Sequence, residues 1–450
     1  MIRPLFVALR LWFLLIAFVM AFVVAWVFPL LLPLVQITFG VFLLLVGIDG
    51  WLLFRPTPGK QTAFFARRDV PDRLSNGDEN PLTIYLENQY PFRTDVEVID
   101  EIPFQFQRRD VLFRDRLSAH ETKAIRYELR PTRRGEYSFG AVNVFVMTPL
   151  GFLKRRYQFE VGKLVAVYPS FLQMRQYELL AATNRLSEAG IKRIRRVGHS
   201  MEFEQLRPYA TGDDVRTINW RATARRTDEQ GTALVVNAFQ DERSQPVYCL
   251  IDKGRPMQSP FDGLTLLDYA INASLVLSNV ALYKQDRAGV LTFSSQIGQF
   301  VPADRRAGQI GRILDVLYRQ KTRFQESDYE TLYASIKTHI RQRSLLLLFT
   351  NFETVNGLRR QLPYLRRLAK DHLLLVIFFE NTALRTLIDQ PAQDTEQVYQ
   401  KTIAEKFAFE KKQIVRELQQ YGIQTILTAP QNLTANTINR YLELKARGAI

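Results

Sequence analysis

Only one cysteine, Cys249, occurs in 450 residues, so no disulfide can form within the chain, and the protein fits a reducing compartment. Cys249 lies in the apolar run 247–251, where a free thiol is far more often core filling than a nucleophile. Histidine is almost as scarce. The four, His120, His199, His339 and His372, are scattered without H-E-x-x-H or any close ligand spacing, which argues against zinc. Neither a G-x-x-x-x-G-K-[ST] loop nor a G-x-G-x-x-G follows any strand-like run, which removes two common nucleotide-binding devices. Residues 198–202 (GHSME) approach the hydrolase elbow G-x-S-x-G. However, Glu202 stands where the closing glycine belongs, and a basic segment precedes Ser200 where a buried strand is required. With no assembled catalytic set, the expectation is a non-enzymatic protein without a cofactor or an evident small-molecule substrate.

Charge is absent altogether from residues 11–48. At roughly 1.5 Å per residue this length would cross a ~30 Å hydrocarbon core about twice, and FPLLLP at 28–33 supplies the break. Membrane helices are therefore expected at about 5–28 and 34–54. Arg3 and Arg10 precede the first, while Arg55, Lys60, Arg67 and Arg68 follow the second, and the short loop between is uncharged. By the positive-inside rule both ends lie in the cytoplasm, giving a two-pass inner-membrane protein whose soluble domains are cytoplasmic. Asp49 is expected at the interface, beside Trp51 and Arg55.

Beyond the hairpin, 47% hydrophobic residues suffice for two or three cores. A net charge of +15 favours anionic partners. Residues 60–168 alternate with period two, as in LTIYL (82–86), VEVI (96–99), AIRYEL (124–129) and VNVFV (142–146), which reads as an immunoglobulin-like antiparallel β-sandwich. Residues 241–450 instead alternate buried strands (247–251, 288–293, 345–349, 373–379, 424–427) with helices (264–280, 329–340, 358–369, 402–421), predicting a doubly wound α/β domain. Ligands of such sheets bind beyond the strand carboxyl ends, here Asp252, Ser294 and Asn351.

Between the two domains, residues 192–240 carry the signature E-F-x-x-L-R-x-Y-x-x-G-D-x-x-R-x-I-x-W-x-x-x-A-R, filled by Glu202, Phe203, Leu206, Arg207, Tyr209, Gly212, Asp213, Arg216, Ile218, Trp220, Ala224 and Arg225. With the RRGEY turn (133–137) and the Pro149-Leu150-Gly151 triplet, this resembles the bacterial family catalogued as domain of unknown function 58, over the whole chain. The resemblance implies a von Willebrand factor A-like α/β domain and a MoxR-type AAA+ ATPase as partner. It also directs attention to the metal-ion-dependent adhesion site of such domains, D-x-S-x-S with a later threonine and aspartate. Here Asp252 is kept, Gly254 and Pro256 replace the serines, the threonine region reads SDYET (327–331), and Asn351 takes the aspartate position. Lys253 and Arg255 add positive charge, so a degenerate, metal-free site is expected, with Asp252 pairing to one of those bases or accepting a backbone donor.

The signature itself admits two readings: a clasp with Tyr209 and Trp220 buried, or a recognition surface for an acidic partner. A turn at 211–214 would set Asp213 as a cap and bring Arg216 within reach of a carboxylate. The segment 192–226 holds nine Lys/Arg against four Asp/Glu. The interleaved acids and the anchor favour a protein partner over nucleic acid. A metal-dependent binding module and an unrecognised hydrolase are the alternatives from other classes.

Overall fold

A computed structural model describes residues 5–55, 62–106, 111–160, 162–182, 202–210, 213, 215–225, 234–240, 244–392 and 394–449; within these, the side chains of 181–182, 202–205 and 238–240 are outside the description. The chain divides into two compact units, Met1–Tyr168 and Pro169–Ile450.

In the first unit, helices Leu9–Val27 and Leu32–Phe54 are both long and apolar enough to cross a membrane, and few of their side chains are buried. Pro29, Pro33 and a single 3-10 turn at Pro29–Leu31 make the bend. One expectation fails at the start: Leu5–Val7 is a strand, pairing antiparallel with Leu153–Arg155. Three apolar residues abutting a membrane helix look helical in sequence, but an open sheet edge offers their backbone partners. The pairing also fixes connectivity, because the chain leaves a strand of the sandwich, traverses the hairpin and returns to Phe64–Asp69 of the same sandwich. Both ends of the hairpin therefore lie on the sandwich side.

The sandwich comprises a five-stranded sheet, in the order Leu5–Val7, Leu153–Phe159, Val142–Met147, Thr94–Asp100, Leu112–Leu117, and two three-stranded sheets. All pairings are antiparallel except Arg73–Ser75 with Lys163–Tyr168. Strand Thr94–Asp100 alternates buried and half-buried positions along its length, the period-two pattern that the sequence displays. Asp49 is fully buried. Its carboxylate accepts the backbone N–H of Phe152 (3.0 Å) and Leu153 (2.8 Å) and the hydroxyl of Thr148. Asp49, expected at the interface, is thus a buried structural acceptor.

The second unit holds a six-stranded sheet in the order Ile297–Asp304, Arg287–Phe293, Pro246–Asp252, Leu345–Phe349, Leu373–Phe379, Gln424–Thr428, parallel throughout except the first, antiparallel edge strand. Pro246–Asp252 and Leu345–Phe349 are buried at every position because helices cover both faces. Helix Leu266–Tyr283, started by a Thr265/Asp268 capping box, packs on one face with Phe171–Ala182 and Leu433–Ala446. Tyr329–His339, Val355–Asp371 and the second half of Thr395–Gln420 cover the other. Leu266–Tyr283 is also apolar enough to cross a membrane, yet it is mostly buried in this core.

Candidate functional site

The signature forms a separate small assembly in the second unit. Glu202–Pro208 pairs antiparallel with Val235–Gln240, with Arg207 opposite Val236. The chain then turns, and Asp213 closes the turn backward: its carboxylate accepts the backbone N–H of Ala210 (2.9 Å) and both guanidinium nitrogens of Arg207 (2.8 and 2.6 Å). The Arg207 fork and the Ala210 amide hold the Asp213 carboxyl below the usual carboxylate range. Among the described residues, Asp213 is thus paired with Arg207 across the turn and reaches back to the Ala210 amide. Gly212 and Asp214 lie outside the described residues, as do the side chains of Glu202 and Phe203 and all of Ser200.

After the turn, Val215–Thr217 makes a 3-10 turn, Ile218 bridges to Val236, and Asn219 starts the short helix Trp220–Thr223. Asn219 is the residue that sequence reasoning missed. Its side chain accepts the Ala222 N–H (2.9 Å) and donates to Asn237 (2.8 Å), while its own N–H bonds the carbonyl of Val235 (2.8 Å). An Asn immediately before a short helical turn is the available signal. The Thr223 hydroxyl in turn accepts the Val235 N–H (3.0 Å).

This framework leaves the large side chains outside. Trp220 is 67% exposed, Val215 64% and Leu206 47%; Arg216, Arg221 and Arg225 are exposed as well, and Tyr209 is half-buried. Burial of Trp220, which the clasp reading required, is not observed. The arrangement is a braced loop bearing an indole and guanidinium groups outward.

At the strand ends, Asp252 is buried and both its oxygens are engaged. Oδ1 accepts the Gly254 N–H (2.8 Å) and the Ser327 hydroxyl; Oδ2 accepts Thr350 Oγ1 (2.7 Å) and the Tyr329 phenol (3.3 Å). Burial pushes its carboxyl above the ordinary value, partly offset by these donors. Of the two expected partners for Asp252, the backbone donor is the one observed. Thr331 points elsewhere, to Asp328, which caps helix Tyr329–His339. Gly254 is required by close approach, since a Cβ there would lie 1.9 Å from Ser327 Oγ. The hydroxyl missing at position 254 is thus supplied in space by Ser327.

Asn351 is occupied too. Its Oδ1 accepts the Lys411 ammonium (2.6 Å), and its Nδ2 donates to the Pro256 carbonyl (3.3 Å). Lys411 arrives from helix Thr395–Gln420 and lies 5.7 Å from the Phe378 ring; burial lowers its pKa to about 8. A divalent cation of this kind takes oxygen ligands, charged and neutral, at close range and free of a competing positive charge. Asn351 is an amide where the motif has a carboxylate, and its oxygen already holds the Lys411 ammonium, a positive charge beside the place a cation would take, so the residues do not fit the metal of an adhesion site.

Residues 205–410 match the family described as Protein of unknown function DUF58. A Bacillus subtilis (strain 168) protein, "Uncharacterized protein YeaD", is 27% identical over 223 residues, covering 48% of this chain and 53% of that protein, so the match spans about half of the relative. Similar solved structures include the CARDB domain of PF1109 from Pyrococcus furiosus in complex with di-metal ions (16% identity, 23% of this chain and 86% of that one, TM-score 0.17). Another is proximal thread matrix protein 1 from the mussel byssus (11% identity, 45% and 47%, TM-score 0.26). Scores this low do not establish a shared fold.

Proposed function

We propose that this protein, a member of the DUF58 family through residues 205–410, is a non-enzymatic adaptor anchored in the cytoplasmic membrane, whose α/β domain docks a cytoplasmic partner, a MoxR-type AAA+ ATPase. The reading rests first on the outward face of the signature: Trp220 with Arg216, Arg221 and Arg225, held on a loop that Arg207, Asp213 and Asn219 brace. Aromatic and arginine side chains presented on a rigid support are what protein interfaces use as anchors, and guanidinium groups select an acidic partner surface.

The α/β domain is von Willebrand factor A-like in this reading, supported by its parallel sheet, its antiparallel edge strand and an aspartate at the end of the Pro246–Asp252 strand. Its adhesion site is degenerate and works without metal, because the Asp252 oxygens and Asn351 are already engaged. Cytoplasmic placement follows from the basic residues flanking the hairpin.

The test is affinity capture of the detergent-extracted protein with nucleotide present, beside an Arg216→Ala/Arg221→Ala/Arg225→Ala variant. A MoxR-type ATPase that co-purifies with the native chain and is lost from the equally stable variant supports the reading. Equal capture by both, or none by either, removes it.

A further inference from the structure

We propose that the 148–153 turn of the sandwich is a third membrane contact, a loop inserted among lipid acyl chains beside the two helices, with Asp49 as the acceptor that makes its backbone tolerable there. The inference rests on the reading of Leu9–Val27 and Leu32–Phe54 as membrane spans.

The turn is apolar (TPLGFL), and no charge occurs from Val142 to Leu153; Lys154, Arg155 and Arg156 follow at once. That is the pattern of a segment crossing from lipid into a headgroup layer. Its depth is set by contacts within the first unit. Its backbone meets the start of the first helix, where the Ala8 N–H bonds Phe152 O, and from there the Phe152 ring reaches inward to 5.7 Å from the ring of Phe42, a residue about 18 Å from the C-terminal end of its helix at roughly 1.5 Å per residue. Gly50 lets Leu153 approach to 3.3 Å from where a Cβ would stand, and Gly151, at φ +70°, packs against Arg10. Pro149 at the tip is exposed, as are Trp12 (58%) and Trp51 (59%), the aromatic residues expected at the same interface.

Irregular backbone at membrane depth is tolerated only where its polar groups find partners, since lipid offers none. Here they do. Asp49 takes the Phe152 and Leu153 amides, Phe152 O accepts the Ala8 N–H (2.9 Å), and the Thr148 hydroxyl faces the Leu150 amide (3.2 Å) while donating to Asp49. In a turn exposed to water, solvent would satisfy these groups, and a buried carboxylate on a membrane helix would have no such task.

The test is nitroxide labelling of Leu150→Cys, with Pro149→Cys as a second site, in the full chain reconstituted into phosphatidylcholine/phosphatidylglycerol vesicles. Cys249, buried and with its thiol pushed up to about 12, does not compete for label. Reference labels go at Val23, 59% exposed on the first helix, and Phe104, 85% exposed on the sandwich. The expected result is that labels at 149 and 150 relax with oxygen and resist an aqueous nickel chelate, as at Val23 and unlike Phe104. If both behave like Phe104 while Val23 stays in lipid, the inserted loop is refuted and the anchor stands. If Val23 also meets the chelate, the anchoring reading falls and takes this inference with it.

Discussion

Replacing Lys411 by methionine tests whether an ammonium stands in the strand-end crevice. Its pKa falls from 10.5 to about 8 on burial, so holding it charged in the fold opposes stability by about 3 kcal/mol at neutral pH. Methionine keeps the stem volume and removes that penalty. It also leaves Asn351 Oδ1 without its donor, a loss of about 1–2 kcal/mol. Lys411→Met is therefore expected to stabilise the α/β unit by about 1–2 kcal/mol at pH 7. The sign with pH is fixed by linkage: between about 8 and 10.5 the unfolded chain binds the proton and the folded one does not, so native stability rises with pH through that window. The variant lacks this rise, and its advantage shrinks and reverses as pH approaches 10.5. Hydrogen exchange of strand Leu373–Phe379 in the detergent-solubilised full chain, at pH 7 and 10, reads the difference where Lys411 packs. A variant less stable at pH 7, or a difference that does not change with pH, refutes the burial argument.

Restoring the serine of an adhesion motif, Gly254→Ser, places a Cβ on Ser327 Oγ and is expected to destabilise by about 2–4 kcal/mol without conferring Mg²⁺-dependent stability. Adding Ser327→Ala should recover part of the loss, as thermal unfolding with Mg²⁺ or EDTA will show. Asp49→Leu strands the Phe152 and Leu153 amides and should cost about 2–5 kcal/mol, whereas Asp49→Asn, which keeps one acceptor, loses less; limited proteolysis of the sandwich distinguishes them. Arg207→Ala should loosen the 209–213 turn, seen as faster exchange of the Ala210 amide, while leaving exchange in strand Leu345–Phe349 unchanged.

What the sequence displays and what it hides follow a physical division. The apolar helical hairpin and the parallel strands were legible because each is a continuous pattern: uncharged residues from 11 to 48, or fully apolar runs such as 345–349. The antiparallel edge Ile297–Asp304 was missed because its half-exposed positions break any apolar run. In the signature, Arg207 and Asp213 pair across a turn, and turn closure is not visible in i, i+3 spacing. At the strand ends, the loss of motif serines was legible. That Ser327 and Thr350 fill in, and that Lys411 reaches Asn351 from a distant helix, depends on packing alone. Exposure of Trp220 was open for the same reason.

The central claim is that the braced Trp220 and arginine face is the docking surface. It is met most directly by comparing capture of a MoxR-type ATPase by the native membrane protein and by Trp220→Ala, whose side chain carries little of the fold. The account predicts loss of the ATPase with unchanged thermal stability. Undiminished capture by Trp220→Ala, together with undiminished capture by the triple-arginine variant, would contradict it.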